Sequence, residues 1–162
     1  MDFEIYYNKC LHFLSFRPRS EKELREYLHK PIFIKKANEE EKREIENTIQ
    51  AIIKKLKEYR FLDDNDFARW WVEQRSKYKP RARRVIAMEL KQKGIAVDVI
   101  EEVLESEELP SEKEKVRKLA EKRILKYKDL PRQKIYEKMG RYLASKGFDW
   151  EIIRESIDDL IK

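Results

Sequence analysis

The sequence predicts an all-α protein made of three tandem three-helix repeats that form an elongated, curved array. Three observations predict it: only three glycines among 162 residues of which 43% are charged, apolar residues recurring at intervals of three and four, and a Pro-Arg turn that returns three times between helical stretches. So few glycines leave little material for the tight turns of a β-protein. The hydrophobic fraction of 41%, with three Trp, eight Tyr and seven Phe, is enough apolar surface to offset chain entropy.

The first helix carries Phe3, Tyr6, Tyr7, Cys10, Leu11 and Leu14 on one side and stops near Phe16, because Pro18 disfavours helix at Arg17. Ser20 followed by Glu23 is a capping box, and it opens a helix that turns Leu24 and Leu28 inward until Pro31. A loop including Ile32 to Asn38 leads to a long helix with Ile45, Ile49, Ile52, Ile53 and Leu56 on its buried stripe. Asp63 or Asp64 caps the next helix, in which Phe67, Trp70, Trp71, Gln74 and Tyr78 follow helical spacing and the aromatics anchor the packing. Beyond Pro80, a helix turns Val85, Ile86 and Leu90 to a core and ends at Gly94 in the left-handed conformation. Val99, Ile100, Val103 and Leu104 mark a sixth helix. The stretch from Glu107 to Ser111, containing Pro110, is the clearest break, and Ser111 with Glu114 forms a second capping box.

The repeat can be read from the text. "RPRS" at Arg17, "KPRA" at Lys79 and "LPRQ" at Leu130 each join two helices, and Leu90–Ile95 (LKQKGI) parallels Leu143–Phe148 (LASKGF). Val99 and Ile100 then correspond to Ile152 and Ile153. The expected units are residues 1–62, with a long connection, 63–108 and 109–162, stacked so that each buries a face its neighbour supplies.

Catalysis finds no support. His12 and His29 lie far apart, Cys10 is the only thiol and is expected to be buried, and three glycines do not make a nucleotide-binding loop, so neither metal nor cofactor is expected. Asp63, Asp64 and Asp66 stand at a helix start, where carboxylates satisfy free amides. The N-terminus lacks a basic leader and cleavage site, and no run of about 18 apolar residues occurs. The expectation is a cytoplasmic protein with no membrane contact.

Net charge is +6, and its distribution says more than its size. From Arg75 to Lys93, eight basic residues face one acidic residue, Glu89, although 63–108 as a whole sums to −2. At about 100° per residue, Arg81, Arg84, Met88 and Lys91 fall within one arc while Ile86 and Leu90 point away. Such a face suits phosphates without regard to base sequence; the alternative is a solvated surface. Trp70 and Trp71 point about 100° apart, so at least one belongs to the core rather than to stacked bases. The other function classes are a helix-turn-helix DNA regulator and a helical scaffold that binds protein alone.

At Phe13–Leu28 (FLSFRPRSEKELREYL), Tyr59–Arg75 (YRFLDDNDFARWWVEQR) and Ala82–Ile95 (ARRVIAMELKQKGI), the chain resembles the RecX regulatory protein family, over nearly its whole length and in the family's order. The aromatic-Leu-Asp-Asp stretch followed by Phe67-Ala68, Trp71-Val72 and Arg75 is its most specific element. The resemblance implies a modulator, usually an inhibitor, of the RecA recombinase: a monomer lying in the groove of the RecA filament on single-stranded DNA, with double-stranded DNA as a further partner. The expected contacts are Arg17, Arg19, Lys79, Arg81, Arg84, Lys91, Arg132 and Lys134, with Phe67, Trp71, Leu90 and Leu143 structural. Two departures stand out. Arg60 occupies a position where the family commonly has Gly, and a left-handed Arg there carries a strain of roughly 1 kcal/mol. The first unit also has an unusually long connection and third helix, from Pro31 to Tyr59.

Overall fold

A computed structural model describes residues 1–30, 37–106 and 109–161. Among the described residues the secondary structure is helical: α1 (Phe3–Ser15), α2 (Glu21–Leu28), α3 (Glu39–Glu58), α4 (Asp64–Lys77), α5 (Arg83–Gln92), α6 (Val97–Leu104), α7 (Glu112–Ile124), α8 (Arg132–Ala144) and α9 (Trp150–Leu160). Helix ends follow local chemistry. Ser20 and Glu23 close a reciprocal capping box on α2, Ser111 and Glu114 do so on α7, and Asn38 with Glu41 forms a third on α3. The expected helix stop at Pro31, most of the loop from Ile32, and Glu107 and Glu108 lie outside the described residues.

Two compact units are defined, one of Met1–Trp70 with Lys91–Val99, the other of Trp71–Leu90 with Ile100–Lys162. In the first, α1 and α2 pack on α3 around Tyr7, Cys10, Leu24, Leu28, Ile49, Ile52 and Leu56. The α3 stripe is buried as its spacing dictates, because residues three and four apart share a helix face. Burial pushes the Cys10 thiol up to about 12, so it stays protonated and inert. In the second unit, α9 packs on α7 and α8 around Val116, Ala120, Met139, Leu143, Ile153 and Ile157. Phe67 and Leu90 are buried as well, as is Leu143.

Two expectations need correction. Tyr78 does not anchor the packing; it lies one residue past the end of α4 and is 72% exposed. Its spacing fits the stripe, but a side chain beyond the last turn no longer faces the same neighbours. Arg81 is not on the basic helix, because α5 begins at Arg83. Asp63 caps α4, accepting from the amides of Asn65 and Asp66, whereas Asp64 accepts from the Glu21 amide at 2.8 Å and so serves α2. Arg60 does adopt the left-handed conformation, φ 56°, as its position in the turn before Asp63 demands.

One buried group was not anticipated. Lys115 in α7 is 2% exposed, and its ammonium has no hydrogen-bond partner. Burial lowers its pKa below the usual lysine value, Glu112 opposes that shift and Arg83 adds to it. Lys115→Met keeps the volume and removes the charge, so it should raise unfolding free energy by about 1–2 kcal/mol in urea titrations at neutral pH. Where the pH lies between the native pKa and the unfolded value of 10.5, the unfolded chain binds more protons, so the wild type gains stability with rising pH. The advantage of the Met variant should therefore shrink in alkali. A destabilised variant would mean that the ammonium has a favourable partner.

Candidate nucleic-acid and partner interface

The basic side chains gather where the Pro-Arg turns meet helix ends. At the first turn, Arg17 grips Glu23 with both terminal nitrogens, at 3.1 and 3.0 Å, and donates to the Pro18 carbonyl at 2.8 Å. Lys93, at the C-terminal end of α5, donates to the same Glu23 carboxylate at 2.6 Å. Burial would raise the Glu23 pKa, but the hydrogen bonds and charges of Arg17 and Lys93 outweigh it and hold the carboxyl at about 2. Arg19 lies over the Phe13 ring at 3.9 Å, and burial together with the Arg17 charge lowers its pKa while Glu23 opposes the shift. Arg17 and Arg19 border a groove of about 770 Å³ that also presents Phe16 and Phe61.

The second turn docks in a similar way on the end of α8. Ala82 donates its amide to the Lys146 carbonyl at 3.1 Å, Arg81 donates to the Ser145 carbonyl at 3.2 Å, and Arg84 donates to the Gly147 carbonyl at 2.6 Å. Gly147 permits this approach, since its φ is +89° and a Cβ there would stand 2.2 Å from Val85 Cγ2. At the third turn Arg132 opens α8 near Asp158, 3.7 Å away, and Lys134 pairs with Glu137 at 3.1 Å.

Pairing sorts the basic run more finely than position does. Arg75 is held by Glu89, which also accepts from the Trp71 indole; Lys77 is held by Glu73 and Lys93 by Glu23. Lys79, Arg81, Arg83, Arg84 and Lys91 have no carboxylate within ion-pair distance among the described residues. Of the eight expected contacts, Lys79, Arg81, Arg84 and Lys91 thus keep their charge uncompensated, whereas Arg17, Arg132 and Lys134 face carboxylates and Arg19 rests on an aromatic ring. Trp71, expected to be structural, is half-buried, with the Arg75 guanidinium 4.5 Å from its ring centre. Among the described residues, no helix is long and apolar enough to cross a membrane.

Pro-Arg turns docked on the ends of helices from a later repeat define a tandem helical-repeat protein. Comparison with known families matches three segments of the chain: residues 7–30 match the first three-helix domain of RecX, 63–104 the second and 111–157 the third. The chain belongs to the RecX family of regulatory proteins. The regulatory protein RecX of Clostridioides difficile is 31% identical over 164 aligned residues, covering 99% of this chain and 72% of that one. That of Oceanobacillus iheyensis is 34% identical across 95% of this chain, and that of Bacillus subtilis 30% across 95%. This chain spans about half the length of the latter two relatives, 53% and 54% respectively. The crystal structure of RecX from Lactobacillus salivarius superposes with a TM-score of 0.67 at 27% identity, covering 98% of this chain and 96% of that one. A second RecX crystal structure gives 0.70 at 26% identity, covering 97% of this chain and 73% of the other.

Proposed function

We propose that this chain modulates, and mainly restrains, the RecA recombinase: it binds in the groove of a RecA filament on DNA and hinders filament growth, strand exchange and co-protease activity. Membership of a family of regulatory proteins supports a regulatory rather than a catalytic role. The observation that carries the reading is the run of cations from Lys79 to Lys91 whose side chains lack carboxylate partners among the described residues, a field suited to a polyanionic filament and indifferent to base sequence. In this reading the protein acts as a cytoplasmic monomer without a cofactor. Lys79, Arg81, Arg84 and Lys91 make the main contacts, and Arg17, Arg19, Arg132 and Lys134 add weaker ones, many modest contacts summing through effective concentration.

The test is RecA-driven strand exchange and DNA-dependent ATP turnover with and without this protein. Both should fall as it is titrated in. Arg81 and Arg84 also hold the second turn in place, so Lys79→Ala with Lys91→Ala is the cleaner variant, and it should need several-fold more protein for half-inhibition, most clearly at low salt. No effect of the wild type on either assay at saturating amounts would overturn the proposal. A footprint at one defined duplex site would move the assignment to a sequence-specific regulator.

A further inference from the structure

The first two turns dock alike, but at one of the positions where they differ the second lacks the carboxylate that pairs with the docked lysine of the first. Aligning Arg17-Pro18-Arg19-Ser20 with Lys79-Pro80-Arg81-Ala82 sets Glu23 against Val85, and aligning Leu90–Ile95 with Leu143–Phe148 sets Lys93 against Lys146. Lys22 donates to the Gln92 carbonyl, and its counterpart Arg84 donates to that of Gly147, an acceptor two positions further along the aligned segment. In the first docking Lys93 finds Glu23 at 2.6 Å. In the second, valine stands where that carboxylate would be.

Lys146 instead meets other cations. Its ammonium lies 5.4 Å from the centre of the Tyr142 ring, and the Arg123 guanidinium lies 4.5 Å from the same centre. Arg81 reaches the turn from the other segment through its bond to the Ser145 carbonyl, and its Nε is buried without a partner. Burial lowers the Lys146 pKa, and the charges of Arg81 and Arg123 lower it further. Three like charges gathered at one turn repel one another, and among the described residues no carboxylate lies within ion-pair distance of any of them.

We propose that Arg81, Arg123 and Lys146 form a binding site for a backbone phosphate of nucleic acid. A phosphate brings negative charge and several acceptor oxygens at once, and a guanidinium fork matches its geometry. The side-chain charges of Lys79 and Arg83, nearby in the chain, also have no carboxylate within ion-pair distance among the described residues, although Glu112 accepts from the Arg83 amide, so the field is extended and suits a repeating phosphodiester better than a single acidic side chain. The Tyr142 and Tyr127 rings hold Arg123 in place, Tyr127 by accepting a hydrogen bond from its Nε at 3.0 Å. This site deepens the function proposed above and rests on its nucleoprotein partner, but its test does not need RecA.

The experiment measures binding of a fluorescent oligothymidylate to the full chain across a salt series, for the wild type, Arg123→Gln/Lys146→Gln, and the control Arg117→Gln. The double variant should bind about ten-fold more weakly at low salt, and its log–log salt slope should flatten by about 0.7, the value for one lost phosphate contact on a single strand. The control should match the wild type. Relief of repulsion should leave the melting temperature of the double variant equal or higher; if that variant fails to fold, Lys146→Gln against the charge-keeping Lys146→Arg decides, with the Arg variant expected to retain the full slope. An unchanged slope in a folded variant overturns the site. So does loss of binding to polyglutamate with DNA binding intact, which would assign the turn to an acidic protein surface. Should the slope flatten while RecA activities ignore the wild-type protein, the phosphate site stands and the RecA reading fails; the reverse pattern separates them the other way.

Discussion

Gly147→Ala is expected to lower the unfolding free energy by about 3 kcal/mol in urea titrations. Two effects add. The backbone at φ +89° strains any residue with a Cβ by roughly 1 kcal/mol, and the new methyl would stand 2.2 Å from Val85 Cγ2, a distance that forces the second turn away from the end of α8. Three carbonyls at that helix end, those of Ser145, Lys146 and Gly147, accept bonds from Arg81, Ala82 and Arg84, so a small displacement strains several bonds together. A double-mutant cycle tests the cause. In a Val85→Ala background the clash is relieved, Ala82 Cβ at 3.4 Å remains tolerable, and the penalty of Gly147→Ala should fall towards the roughly 1 kcal/mol of backbone strain. An equal penalty in both backgrounds would show that this docking is wrong.

Glu23→Gln should cost about 2–3 kcal/mol at pH 7. Glu23 closes the α2 capping box and accepts charged hydrogen bonds from Arg17 and Lys93, and all three side chains are shielded enough for these pairs to count. Burial alone would raise its pKa; the two cations more than reverse that and hold it at about 2 against the ordinary 4.5. The folded state therefore binds this proton less readily than the unfolded chain. Its contribution is complete above pH 4.5 and is lost as pH falls through about 2. The stability gap between wild type and variant should close over that window, and a gap independent of pH between 5 and 2 would rule out the charged network as its source.

Much of the helical plan was legible because it is local. The α3 stripe, the boxes at Ser20 and Ser111 and the left-handed Gly94 each depend on residues within a turn or two of one another. The box of Asn38 with Glu41 carried the same signature and was readable too. Tyr78 fits the stripe yet is exposed because periodicity does not say where the opposing surface ends, and Arg81 falls outside the basic helix because a helical arc does not say where the helix begins. The eight candidate contacts share a positive charge and a place at the turns or on the basic helix. Neither property distinguishes Arg17, clamped by Glu23, from Lys79, which has no such partner.

By itself the sequence determined the all-helical class, the three-part repeat and the chemistry of most helix ends, since each follows from side chains acting on the backbone next to them. Which cations keep their charge was decided only by the tertiary structure. Lys93 meets Glu23 across 70 residues of chain, while Lys146 meets Arg81 and Arg123. The two lysines are equivalent in the repeat, and Coulomb energy depends on distance in space rather than on position along the chain.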